Sequence, residues 1–176
     1  MTNVILPCGG ATIRPYQTGD QPKLDQLTET IFGPGIKTRA AHVLRGATPH
    51  EPELSFVAEH EDQMIGSVRQ TVFLVGETRA LLLGPLGVLA DFKNSGIGRS
   101  LMTASMEAAA MRARALNAPA TILVGDEPYY KPFGFERVPF GSIKMPLPVD
   151  PGRILICRHH DDAPKLIAGV ARPLVS

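Results

Sequence analysis

Cysteine is nearly absent from this sequence: Cys8 and Cys157 are the only two among 176 residues. Two cysteines make neither a disulfide framework nor a metal-ligand set. Charge of one sign is not in excess either. Eighteen Lys and Arg face 17 Asp and Glu, a net charge of +1. A dedicated nucleic-acid binder needs a basic surplus, so composition offers no footing for one. No block of like charge and no internal repeat occurs. The first thirteen residues lack Lys and Arg, and their only apolar run is residues 4–6, so no secretory signal is expected. Long apolar runs are missing too. The longest uncharged one, residues 80–90, is broken by Gly84, Pro85 and Gly87. A membrane span needs about 20 residues. The expectation is a cytoplasmic protein with neither nucleic acid nor membrane as partner.

What is present fits an ordinary globular chain. Hydrophobic residues make up 44% and charged residues 20%. The length suits a single domain over residues 1–176, and no linker argues for two. Glycine and proline are plentiful, at 17 and 16 residues. That implies many loops and short elements.

A short first strand is expected over 11–15. Leu24, Leu27, Thr28 and Ile31 share one face of a helix over 21–32, with Asp20 as its N-cap and Gly33, Pro34 and Gly35 as its stop. A second short helix is read over 38–44. Strand candidates follow over 54–60, 64–75 and 78–88, the last two joined by a Gly76-Glu77 turn. The third is apolar on both faces and is expected at the centre of a sheet. The strongest helix covers 98–116, where Ile97, Leu101, Ala104, Ala108, Met111 and Ala115 form one apolar stripe. Residues 121–124 read as a buried strand, 128–133 as a helical turn, and 135–138 as another strand. Residues 153–157 are expected to close the sheet. The order is α/β with mixed pairing.

The chemistry concentrates in residues 83–100, LGPLGVLADFKNSGIGRS. A central strand runs into a glycine-rich turn that opens the long helix. Gly96 and Gly98 let a ligand approach the backbone. The first amides of the helix have no intrahelical partner and lie at its positive end, which suits phosphate. Lys93 and Arg99 add full charges. The P-loop pattern is absent. The dinucleotide fingerprint fails at Leu101 and lacks its acid near Asn117. Upstream, Gly84, Pro85 and Gly87 interrupt the strand and free the amides of Leu86, Gly87 and Val88 for an extended ligand. A phosphate site end to end with free strand amides matches a pyrophosphate carrying an amide-bearing arm, as in coenzyme A. Tyr129 and Tyr130 then occupy a single turn after the 121–124 strand. That strand is parallel to 78–88 if the helix between them is a right-handed crossover.

VLADFKNSGIGRSLM resembles the acetyl-CoA signature of the GNAT superfamily of N-acyltransferases. GDEPYYKPFGFE is similar to the Tyr-bearing turn of that family. FGPGIKTR, PELSFVAEHEDQMIGSV and LLLGPLGV resemble its small bacterial predicted-acetyltransferase branch. The resemblance covers nearly the whole chain and is weakest after about residue 140. It departs at Lys93, where the family has Gln or Arg, so planar side-chain geometry is lost there.

The resemblance implies a GNAT-like acyl-CoA acyltransferase fold: a mixed central sheet of about seven strands, helices on both faces, and a V-shaped splay between the fourth and fifth strands. It implies that Leu86 and Val88 hold pantetheine, and that Gly96, Gly98, Arg99 and Ser100, with Lys93 nearby, hold the pyrophosphate. Tyr130, rather than Tyr129, falls on the family's tyrosine and would be the general acid. The implied reaction is acetyl transfer from acetyl-CoA to the primary amine of a small molecule or peptide, with no metal. The alternative is a non-catalytic acyl-CoA-binding module of the same fold. Glu59, Asp126 and Glu127 are the acids near strand ends, but none is singled out as the base, and bound water could serve instead. Arg39, His42 and Arg45 lie where an acceptor would bind. His159 and His160 read as a surface turn, and Cys157 as an inert core residue. The acceptor, the acyl group and homodimerisation are left open.

Overall fold

The computed structural model describes residues 10–46 and 48–174. Residues 4–6 and Cys8 lie outside the described residues. In chain order the elements are β1 (Thr12–Pro15), α1 (Gln21–Phe32), α2 (Ala40–Arg45), β2 (Phe56–His60), β3 (Gln63–Val75) and β4 (Thr78–Val88). They are followed by α3 (Ile97–Arg112), β5 (Ala120–Val124), α4 (Glu127–Tyr130), β6 (Glu136–Arg137), β7 (Ile143–Lys144), β8 (Ile154–Arg158) and β9 (Gly169–Pro173).

Among the described residues nine strands form one mixed sheet, ordered β1-β2-β3-β4-β5-β8-β6, with β9 paired to both β3 and β7. The β3–β4 hairpin turns at Gly76, whose φ of 58° is easy only for a residue without a side chain. The β4–β5 pair is parallel, with α3 as the crossover between its strands. β8 does not close the sheet: it lies between β5 and the two-residue β6. β7 and β9 had no signal strong enough to be read from the sequence.

The chain groups into two compact units. The first comprises the residues up to 36, 51–70 and 84–108; the second comprises 37–50, 71–83 and 109 onward. In the first, Leu24 and Leu27 of α1 pack with Tyr16, Val57 and Met64, flanked by Ile31 and Leu89. The core of the second gathers Leu44, Phe73, Leu82, Ile122, Ile154, Ile156 and their neighbours.

Two expectations are corrected. Asp20 does not cap α1 with its side chain. Its carboxylate instead accepts from the Gln17 amide and from Arg14, at 2.7 and 2.8 Å. The apolar stripe of α3 holds from Ile97 to Ala108, but the helix stops at Arg112, and Met111 is 79% exposed. Ala113 and Ala109 take the buried positions instead, and Ala115 is exposed.

Candidate functional site

In the first unit, the turn before α3 is built by local hydrogen bonds. The Leu89 amide donates to Ile65 O at 2.8 Å and ties the end of β4 to β3. Phe92 and Lys93 close a helical turn onto Leu89 and Ala90, and Ser95 Oγ donates to Phe92 O at 2.6 Å. Asn94 and Gly96, at φ of 62° and 86°, then swing the chain into α3. The amides of Gly96, Ile97, Gly98 and Arg99 meet no acceptor among the described residues. They are the orphan donors of a helix start. The Ser100 amide is not one of them. It donates to Gly96 O at 3.0 Å, which corrects its place in the expected amide cradle and leaves only its hydroxyl for a ligand. Lys93 and Arg99 are exposed at the rim.

The middle of α3 is held by a buried polar relay that the sequence alone did not disclose. Gln70 Nε2 donates to Ser105 Oγ at 2.8 Å, and Ser105 Oγ donates to Leu54 O at 2.7 Å. Both side chains are fully buried, so these bonds spare polar groups that would be costly to leave unpaired. Their one visible signal is a Gln amid the β-formers of 64–75.

β4 pairs with β5 only at Leu81 and Leu82. Beyond Leu82 it has no registered partner on that side, although β5 runs on to Val124 paired with β8. The main chain at Leu86 and Val88 is therefore open along that edge. Gly87 is glycine for a different reason: a Cβ there would come 2.9 Å from the Phe32 ring. Its bareness lets α1 pack on β4.

Tyr130 belongs to the second unit. Asp126 and Pro128 start α4, and Gly134, at φ of 86°, ends the turn that follows it. The Tyr130 ring meets Tyr129 and Phe135 edge-on, at 4.9 and 5.9 Å between centroids. Burial, with Tyr129 and Asp126 adding to it, pushes its hydroxyl up to about 12. The phenol thus keeps its proton at neutral pH. Gly125 makes room for the ring, because a Cβ there would lie 2.3 Å from Tyr130 Cε2. Tyr129 is half exposed.

Each candidate base is paired with an arginine. Glu59 holds Arg14 at 2.6 Å, Glu127 holds Arg137 at 2.7 Å, and Asp126 holds Arg153 at 3.2 Å. Arg39, His42 and Arg45 have partners of their own. His159 is not a surface residue of a turn: Nε2 lies 2.8 Å from Thr121 Oγ1, and burial pushes the imidazole down to about 4. His160 faces Asp162 at 2.7 Å. Cys157 is partly buried, and burial pushes its thiol up. Among the described residues no group of three His, Cys, Asp or Glu could hold a metal. No helix among them is long and apolar enough to cross a membrane.

The profile of the GNAT acetyltransferase domain matches residues 51–137. The chain carries a GNAT acetyltransferase domain. That stretch of the GNAT domain contains every residue expected to hold the cosubstrate, and Tyr130 as well. The solved structures agree on the GNAT fold. The GNAT family N-acetyltransferase YhbS from Escherichia coli, in complex with CoA, is 24% identical at a TM-score of 0.75, over 98% of this chain and 92% of that one. A GNAT family acetyltransferase from Brucella melitensis, in complex with acetyl-CoA, is 26% identical at a TM-score of 0.60, over 92% and 94%. Arabidopsis thaliana Naa50, in complex with the bisubstrate analogue CoA-Ac-MVNAL, is 17% identical at a TM-score of 0.55, over 84% and 96%. No curated protein matches the sequence.

Proposed function

We propose that this GNAT domain transfers an acetyl group from acetyl-CoA to a primary amine. The observation that carries the reading is the run of unfilled amides from Gly96 to Arg99, continuous along the chain with the unpartnered edge of β4. Coenzyme A needs that pair of features: an anion cradle for its pyrophosphate and main-chain partners for its pantetheine amides. The amides of Gly96, Ile97, Gly98 and Arg99 bind the pyrophosphate. Lys93, Arg99 and the Ser100 hydroxyl add side-chain contacts, and the backbone of Leu86 and Val88 holds the arm. When bound, acetyl-CoA supplies a thioester as acyl donor.

Tyr130 is the general acid in this reading. The amine nitrogen forms the new C–N bond as the C–S bond breaks with its electron pair on sulfur. Tyr130 Oη gives its proton to that sulfur, and the nitrogen sheds one proton to solvent. Water takes this proton because Glu59, Asp126 and Glu127 are all engaged by arginines. The same three ion pairs favour the alternative, a module that binds acyl-CoA without transfer, since each of the three candidate bases is engaged by an arginine. Release of free thiol from acetyl-CoA with a panel of primary amines separates the two. Amine-dependent release well above the hydrolysis background is expected. Tight acetyl-CoA binding with no release for any amine would favour the binding module.

A further inference from the structure

Arg69 sits in the middle of β3, between the buried side chains of Val68 and Gln70. Its Nε is shielded from solvent and has no hydrogen-bond partner. No acceptor among the described residues takes a hydrogen bond from any part of its guanidinium, and no carboxylate forms an ion pair with it. The residue as a whole is partly buried, and an arginine with a shielded donor and no partner is uncommon, because its donors and its charge are costly to desolvate. The other arginine next to α1 shows the usual solution: Arg14 is clasped by Asp20 and Glu59. Arg69 lacks such a clasp, and desolvation holds its pKa below the ordinary arginine value despite nearby Asp25 and Tyr16.

Its position gives the vacancy a use. Gln70 points to Ser105 of α3, so alternation along β3 sends Arg69 to the opposite face, toward Tyr16 and Asp25 of α1. β3 and β4 are neighbours joined by a two-residue turn and are therefore antiparallel. A Cβ on Gly66 would lie 3.2 Å from Gly87 O and 3.3 Å from Val88 Cγ2, so β3 there runs against residues 87–88 of β4. Arg69 lies three residues further along β3, on the strand that neighbours the open stretch of β4. A guanidinium presents its donors as a flat fork that fits a carboxylate or a phosphate.

We propose that Arg69 binds an anionic group, a carboxylate or a phosphate, on the amine acceptor, and so selects amines that carry negative charge. This rests on the transferase reading for its substrate but not for the anion site itself. Arg69 acts in binding, away from the bond that is made, so its effect falls on KM.

The test pairs an ω-amino acid and an aminoalkyl phosphate with uncharged amines of the same length. Thiol release is measured for the wild type, Arg69→Lys and Arg69→Met. The wild type is expected to favour at least one anionic member by tenfold or more in kcat/KM, through KM. Arg69→Met is expected to bring that ratio toward one and to melt at a higher temperature, since a desolvated charge is removed. Arg69→Lys keeps part of the preference. The two anionic arms tell a carboxylate site from a phosphate site. An unchanged ratio in Arg69→Met, or no preference in the wild type, overturns the proposal. If no amine releases thiol, the transferase reading fails by itself, and the Arg69 Nε–Hε resonance decides the anion site. A saturable shift with the same amino acid or phosphate supports it, and no shift with either overturns it.

Discussion

At Gly125 a hydrogen stands where any other residue would put a carbon, and that decides where the Tyr130 ring can lie. The ring carbon Cε2 is 2.3 Å from the site of the missing Cβ, far inside van der Waals contact. Tyr130→Phe removes only the hydroxyl. Turnover is expected to fall about 10²-fold with acetyl-CoA affinity nearly unchanged, the low end for general acid catalysis. Gly125→Ala keeps the hydroxyl but displaces the ring, and is expected to lower turnover about tenfold or more by the same route. Tyr129→Phe, at the half-exposed ring, is expected to do much less. Steady-state kinetics with calorimetric acetyl-CoA titration checks all three. Equal losses from the two tyrosines would remove the assignment. The expectation for Tyr130 comes from the family resemblance, counted back from Gly134 and Phe135. The role of Gly125 was not legible in the sequence, because the clash that excludes a side chain exists only once the chain has turned back on itself.

At the scale of elements, β5 and β8 pair over five residues, from Ala120 with Arg158 to Val124 with Ile154. His159 follows β8 directly and turns its imidazole onto Thr121 of β5. Burial, with His160 adding to it, lowers this imidazole from 6.5 to about 4. The unfolded chain therefore binds a proton that the folded chain refuses between those two values. The stability linked to His159 is complete above about pH 6.5 and is lost as pH falls toward about 4. Melting temperatures across that window are expected to drop in the wild type and to drop less steeply in His159→Gln, which cannot titrate. Parallel slopes would show that His159 is not the group responsible. β5 itself was readable as a buried apolar run. β7 and β9 were not, because such short strands are set by their neighbours more than by their own residues.

On the scale of the whole molecule, the proposed cosubstrate site is assembled from a strand edge and a helix start that are consecutive in the chain. The main chain at Leu86 and Val88, and the amides from Gly96 to Arg99, lack internal partners on the ligand side. Such amides exchange readily until a ligand covers them. Acetyl-CoA is expected to slow exchange at 86–88 and 96–99 together and to raise the melting temperature in a concentration-dependent way. An amine alone is expected to protect little, since its site is incomplete without the cosubstrate. Hydrogen exchange with each ligand separately checks this. Protection confined to 96–99 would leave an anion site without a pantetheine strand.

The sequence by itself determined what depends on neighbours in the chain. The face shared by Leu24, Leu27 and Ile31 predicts α1. The interruption at Gly84, Pro85 and Gly87 marks the strand whose pairing with β5 stops, and the Gly96 and Gly98 spacing marks the turn with orphan amides that opens α3. These are properties of a few consecutive residues, because helix period, turn dihedrals and orphan amides are local. The tertiary structure alone decided which polar groups are engaged. Glu59 is held by Arg14 from 45 residues away, Ser105 by Gln70 from 35, and Asp20 serves Arg14 rather than its own helix. The same test left Arg69 without a partner and the Ser100 amide with one. Whether a charge is paired depends on groups brought together only by folding, and that pairing decides whether it can take up a substrate.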